Sequence, residues 1–335
     1  MSTDLYVGPS VVPGDPSGEA RSPSAVDLRS PRTTGDRLFR LVLFSCASTV
    51  LVIIAVILIF LALKAWPAWR YEGIRLVTTA VWSNPQRAFG FGGDLVGSFV
   101  IAGVALVVAA PIALATALAI NEYVPRVLRK PLTALVDLLA AVPSLVYGLW
   151  GGLWFQNHVY LTAGWLGHNA DFFPLFRLAP RSNTNGSEFL AGLVVAIMVL
   201  PLMTSVSREV MSQVPREDCE AALALGGTRW GMITDVVLPF GRNGIVGGAM
   251  LAFGRALGET IAVSLILSAN DHLTSHILQA GGGSVAATIA TQFSSTSNLG
   301  RSALTFAGLL LFAMTLGVNI GARFVVSRSS TGSRR

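Results

Sequence analysis

The sequence predicts an all-α integral membrane protein with six transmembrane helices, and three observations predict it. Of the 335 residues, 52% are hydrophobic and only 13% charged, with a mean hydropathy of +0.61. A soluble globular chain carries roughly 25% charged residues, so much of this surface must face lipid. Apolar runs recur at residues 38–65, 94–120, 131–156, 188–211, 243–268 and 300–326, and about 20 apolar residues suffice to span a bilayer as a helix. The runs are continuous rather than alternating, which excludes barrel strands and leaves helices. Lastly, Lys and Arg are unevenly spread. With the N-terminus inside, segments 1–40, 121–131, 208–242 and 322–335 hold sixteen of them, and the outside segments 64–93, 157–187 and 269–301 hold seven. That bias places both termini in the cytoplasm. The net charge of +6 therefore expresses orientation. Spread over four segments, it does not form the single basic surface of a nucleic-acid-binding protein.

In order along the chain, residues 1–36 are rich in Pro, Ser, Gly and Asp. They cannot bury enough apolar surface to fold and are expected to be a disordered cytoplasmic tail. No apolar core follows a short basic start, so the tail is not a signal peptide. The first transmembrane helix, 37–65, is too long for a cleaved signal core and is expected to remain as an anchor. After it, W-P-A-W and W-S-N-P-Q-R-A-F-G place tryptophans where an amphipathic ring sits half wet at the interface. Pro111, Pro143 and Pro201 fall within the second, third and fourth spans. They are expected to kink and shape packing, with a moving hinge as the alternative. Asp137 reads as an interfacial or packing residue, and Glu122, Arg126, Arg129 and Lys130 as a short inner loop meeting lipid headgroups.

The outside loop 157–187, with His158, His168, Arg177 and Arg181, is the longest candidate surface for an external partner. In the loop 269–299, the apolar stretch Val285 to Phe293 is too short to span and reads as a re-entrant or interfacial helix. His272 and His276 stand four apart, but with only Asp271 beside them they do not make a metal site. Cys46 and Cys219, in the first span and a cytoplasmic loop, provide neither a disulfide nor a metal framework. No cofactor is expected.

The most informative segment is the cytoplasmic loop 212–242, which contains E-A-A-L-A-L-G-G-T-R-W-G-M-I-T-D-V-V-L-P from Glu220 to Pro239. Pro215 suits the opening of a helix. Glu217, Asp218 and Glu220 complement its positive end, and Ala221 to Leu225 are strong helix formers. Gly226 and Gly227 then break the run, Thr228 is placed to cap a second short helix, and Leu238-Pro239 is expected to end it. Two short helices joined at a glycine hinge make a stiff protruding knuckle. No Gly-Lys pair exists, so the chain lacks the phosphate-cradling G-x-x-x-x-G-K-[ST] loop of nucleotide hydrolases.

The fifth span carries Arg255 and Glu259 in G-R-A-L-G-E-T-I-A-V. Four apart, they are expected on one helix face. Charges at bilayer depth are costly and mark function by default. Gly254 and Gly258 allow another backbone to approach. Arg255 offers a planar fork for an oxyanion, and Glu259 is expected to hold the guanidinium and moderate the grip. The bland reading is a structural ion pair locking two helices.

The spacing E-A-A-x3-G-x9-V-x-L-P between two spans resembles the EAA loop of ABC-transporter permeases, with Val236 where that family usually has Ile. G-R-A-L-G-E-T-I-A-V is similar to the fifth-span signature of phosphate ABC-importer permeases. W-S-N-P-Q-R-A-F-G and D-L-L-A-A-V-P-S-L-V-Y-G-L resemble the PstC type, and the resemblance runs from about residue 37 to 325. It implies a type I ABC importer permease fold whose core, 94–326, includes a coupling loop at 212–242. It further implies that Glu220, Ala221, Ala222, Gly226, Leu238 and Pro239 dock a separate ATPase, and that Arg255 and Glu259 line the substrate path for phosphate. The implied partners are a PstA-type permease in a heterodimer, two PstB-type ATPase subunits and a PstS-type phosphate-binding protein, besides membrane lipid. Another oxyanion, sulfate or molybdate, is the near alternative. A secondary transporter would not need the coupling loop. An intramembrane Ser–His hydrolase would need a base beside its nucleophile, and no histidine falls within a predicted span.

Overall fold

The computed structural model describes residues 34–169, 184–267, 277–278 and 281–330. Residues 1–33 of the expected disordered tail, the outer-loop residues 170–183 and the pair His272 and His276 lie outside the described residues, while residues 34–36, expected in the tail, already belong to the first helix. The chain divides into two compact units, residues 1–55 and 56–335. In the first, the described part is the opening of helix α1 (Thr34–Glu72), whose Leu38, Phe44 and Leu51 side chains are exposed. A helix this apolar and this uncovered is suited to lipid.

The second unit holds the rest. After α1 comes a helical turn, α2 (Arg75–Thr78), and a two-stranded antiparallel hairpin, β1 (Trp82–Ser83) with β2 (Ala88–Phe89). The hairpin accounts for the W-S-N-P-Q-R-A-F-G motif. Trp82 packs on Phe89 and Phe91 at ring distances of 4.9 and 5.6 Å. Asn84 donates to the Ser295 carbonyl and accepts from the Thr296 hydroxyl at 3.2 Å. The Trp82 ring therefore serves a local core.

Helix α3 (Gly92–Leu118) and helix α7 (Glu188–Ser212) form the centre. On α3, Ile101, Ala102, Ala105, Ala109 and Ala113 recur every three or four residues and are fully buried. They meet Ala191, Val194, Val195 and Met198 of α7. A Cβ on Gly192 would come within 2.7 Å of the Val104 Cβ, so glycine is required for this approach. Small residues let membrane helices pack closely where lipid gives no hydrophobic drive. Pro111 and Pro201 lie inside these two helices, which continue past them.

The third span departs from expectation. In place of one helix over 131–156, α4 (Arg126–Ala140) ends, Pro143 intervenes, and α5 (Ser144–Trp150) leaves at 81°. Proline lacks the N–H that would continue the ladder and disfavours helix in the residue before it. Beyond α5 a π-helical turn, Gly151–Phe155, leads into α6 (Gln156–Asn169). The first part of the expected outer loop is therefore helical. Asp137 accepts a hydrogen bond from Ser205 at 3.1 Å, joining α4 to α7 as a packing residue.

After α7 come α8 (Arg216–Ala224), α9 (Arg229–Met232) and α10 (Leu238–Leu257). The expected stop at Leu238-Pro239 does not occur. A π-helical turn, Ile233–Val237, joins α9 to α10, and the helical run continues from Arg229 to Leu257. A widened turn just ahead of a proline relieves the clash of its ring with the carbonyl one turn back.

The fifth span is broken in its turn. Helix α10 stops at Gly258, and α11 (Ile261–Ile266) follows. Helix α12 (Val285–Gln292) buries Val285, Ala286 and Ala287 and contacts α3, α11 and α13 (Asn298–Ser330), so it is a packed short helix. Ahead of it Gly281 and Gly282 adopt positive φ of 114° and 89°. Their neighbour Gly283 donates its N–H to the buried Glu188 carboxyl. Any side chain on Gly283 would run into Asp94, and any on Gly97 into Gly283. This glycine seam clamps the starts of α3 and α7 together.

Candidate functional site

Arg255 lies in the last turn of α10, exposed on the wall of a groove of about 1120 Å³. The α10 wall is a stripe of one helix face that includes Asn243, Gly247, Met250 and Gly254. The facing wall comes from α13, with Leu316, Asn319 and Arg323, and Leu202 of α7 closes one side. Gly247 and Gly254 have nothing within 4 Å of where a Cβ would stand, which keeps the groove wide beside Arg255. The Tyr147 hydroxyl of α5 is close enough to feel the Arg255 charge, and it donates to the Leu139 carbonyl at 3.0 Å.

The expected ion pair between Arg255 and Glu259 does not form. Four residues apart would stack them only on an unbroken helix, and α10 ends at Gly258. Glu259 instead turns inward, 8% exposed, and its Oε1 accepts the backbone N–H of Ala262 at 3.2 Å. The carboxylate thus satisfies one of the orphan donors that open α11. Helix α11 packs on α5 so closely that a Cβ on Gly148 would sit 2.7 Å from the Ala262 Cα. Glu259 fixes the break in the span, and the break leaves Arg255 pointing into the groove without a carboxylate partner among the described residues.

At the other end of the same helical run, the 212–242 segment is built much as its sequence suggests. Thr228 caps α9, its hydroxyl accepting from Gly231 N–H at 3.1 Å. Gly226 has φ +87°, a conformation that a side chain strains. A Cβ on Gly227 would meet the Ala222 carbonyl oxygen at 2.6 Å, whereas one on Gly226 would meet nothing within 4 Å. Glu220, Ala221, Gly226 and Pro239 are exposed, and Ala222 and Leu238 are half-buried. Ala222 and Leu238 pack on a cluster of Ala117, Met211, Met232, Ile233 and Val237 that ties the knuckle to α3 and α7. Leu225 is 89% exposed and Trp230 63%, an apolar tip that no described residue covers. Burial and the carboxylates of Glu122, Asp218 and Glu220 together push the Cys219 thiol above its ordinary pKa.

Residues 109–331 match the family described as binding-protein-dependent transport system inner membrane component. The chain belongs to that family. The "Phosphate transport system permease protein PstC 2" of Mycobacterium tuberculosis is 39% identical over 313 residues, covering 92% of this permease and 96% of the relative. The "Phosphate transport system permease protein PstC" of Mycobacterium leprae is 41% identical over 273 residues, covering 80% and 85%. In fold, the permease is similar to a chain of a bacterial alginate ABC transporter, with a TM-score of 0.59 at 16% identity, covering 89% of this chain and 98% of that one. The permease therefore has the type I ABC importer fold and is a multi-pass membrane protein.

The sequence singled out Arg255 and the knuckle, and the structure places them at opposite ends of one helical run. Asn243, Asn319 and Arg323 were not singled out. Their signal was present: two amides inside apolar spans, and Asn319 and Arg323 four apart on α13.

Proposed function

We propose that this permease conducts inorganic phosphate into the cell, with Arg255 meeting the anion in the groove. The observation that carries the reading is an arginine without a carboxylate partner among the described residues, inside an apolar span and facing open space. A guanidinium at that depth binds a tetrahedral oxyanion through two parallel hydrogen bonds. The relatives' names, phosphate transport system permease proteins, support phosphate over sulfate or molybdate. Glu259 serves the same site indirectly, by holding the helix break that aims Arg255.

The groove is a half-site in one chain. A PstA-type permease subunit completes it from the other side, as a heterodimer. Two PstB-type ATPase subunits supply ATP hydrolysis and dock on the knuckle through Glu220, Ala221, Ala222, Gly226, Leu238, Pro239 and the exposed Leu225 and Trp230. A PstS-type phosphate-binding protein delivers substrate from outside. Both termini and the knuckle face the cytoplasm, as the basic-residue bias dictates.

The deciding experiment is co-purification of the four subunits in detergent, followed by ATPase assay with and without phosphate-loaded binding protein. Stimulation by the phosphate-loaded form and none by a sulfate-loaded binding protein is expected. Equal stimulation by sulfate would refute phosphate selectivity, and failure of the ATPase to co-purify would refute docking on the knuckle.

A further inference from the structure

We propose that Arg323, which lines the groove with Asn319 and Asn243, is a second anion station there, which takes phosphate off Arg255 and releases it on the knuckle side. The inference rests on the proposed role of Arg255. Both arginines line one continuous cavity, Arg255 from α10 and Arg323 from α13. Asn243 and Arg255 are twelve residues apart on α10, about 18 Å of helix rise. Between them the α10 wall is glycine and apolar, Gly247, Met250 and Gly254. An anion leaving Arg255 would have no cation to replace it over that distance unless the opposite wall supplied one.

The opposite wall does. Arg323 is exposed to the groove near the end of an apolar span, and no carboxylate pairs with it among the described residues. Asn319 stands one turn back on the same face, and its amide N–H groups suit the oxygens of an anion in passage. Two guanidinium sites of similar strength let an oxyanion transfer between them, where a single deep site would retain it. The competing role for Arg323 is a positive anchor at the membrane face. Arg328, Arg334 and Arg335 follow it and carry the same sign, so orientation does not depend on Arg323.

The test uses the assembled importer in proteoliposomes with phosphate-loaded binding protein, and reads labelled phosphate uptake and ATPase rate per inserted complex. Arg323→Gln is expected to lower maximal uptake at least about tenfold, the scale of one charge-assisted hydrogen bond. The half-saturating concentration of binding protein should be unchanged and ATPase stimulation retained. Arg323→Lys should recover part of the loss. In a double variant, Arg323→Gln with Gly321→Arg, the positive charge shifts only about 3 Å along the helix but moves about 200° around it, away from the groove. The station predicts that uptake remains low; recovery by the double variant, or normal uptake by Arg323→Gln, would overturn it. Arg255→Gln in the same assay keeps the two proposals apart. Loss of uptake in Arg255→Gln beside normal uptake in Arg323→Gln refutes the second station alone. Normal uptake in Arg255→Gln refutes the phosphate path at Arg255, and the station with it.

Discussion

If Arg255 meets the anion and Glu259 holds the helix break, as proposed, variants of the two residues should separate. Arg255→Lys keeps a charge but loses the planar fork, so phosphate uptake should fall while insertion and ATPase docking persist. Arg255→Gln should abolish uptake. Glu259→Gln retains an oxygen able to accept from Ala262 N–H, so it is expected to keep most activity. Glu259→Ala removes the cap, at a cost of about 1 kcal/mol, and should misplace Arg255. If Gln and Ala at position 259 impair uptake equally, the carboxylate charge matters rather than the cap, and the positioning role is wrong. Sequence reading found both residues because mid-span charges are rare. It missed the cap because the i, i+4 rule presumes a continuous helix, and nothing local forbade one: a single Gly258 is tolerated in many membrane helices.

At the scale of elements, the knuckle was legible because its local chemistry is strong. The Gly226 hinge, the Thr228 cap and the α8 helix formers each specify one conformation. The continuity from α9 into α10 was not legible, since a proline ordinarily ends a helix and only the π-helical turn before it removes the conflict. That continuity puts the end of the knuckle and Arg255 on one helical run. Because space around Gly226 is open, substitutions there should act through backbone strain and not through collision. Gly226→Asn is expected to be mild and Gly226→Val severe, since a β-branched residue at positive φ is a genuine outlier. Co-purification of the ATPase measures this, and equal loss in both variants would contradict it.

The same knuckle contains a chemical reporter. The raised pKa of Cys219 leaves little thiolate at neutral pH, so alkylation in a Cys46→Ser background should be slow at pH 7 and accelerate only as pH rises beyond the ordinary thiol range. Removing a nearby negative charge with Glu220→Gln lowers the pKa and should speed labelling at fixed pH. An unchanged rate in that variant would show that burial, and not the Glu220 charge, sets the thiol.

For the whole molecule, hydropathy predicts six crossings: five described helices are long and apolar enough, and the bent third pair, counted as one span, makes the sixth, while the basic-residue bias predicts their orientation. The 81° bend in the third crossing was hidden, because hydropathy counts apolar residues and not their direction. Cysteines placed at Ser182 and Ser330 test the orientation: Ser182, outside the described residues, should label from outside, and Ser330 only after permeabilisation. The reverse pattern at either site would sink the arrangement.

The uncovered groove also bears on how the cell must manage this subunit. Made in excess of the partner proposed above, the permease would sit in the bilayer with the groove around Arg255 uncovered. A charge within a span costs up to about 3.5 kcal/mol by insertion scales, and water drawn in to solvate it would expose backbone to membrane proteases. The orphan is then expected to be a substrate for quality control, with Arg255 as the recognised feature. In a pulse-chase without the partner subunit, the wild-type chain should decay quickly, and Arg255→Leu should live longer although it cannot transport. Equal lifetimes would mean that the orphan is recognised elsewhere, with the exposed Leu225 and Trp230 tip the next place to look.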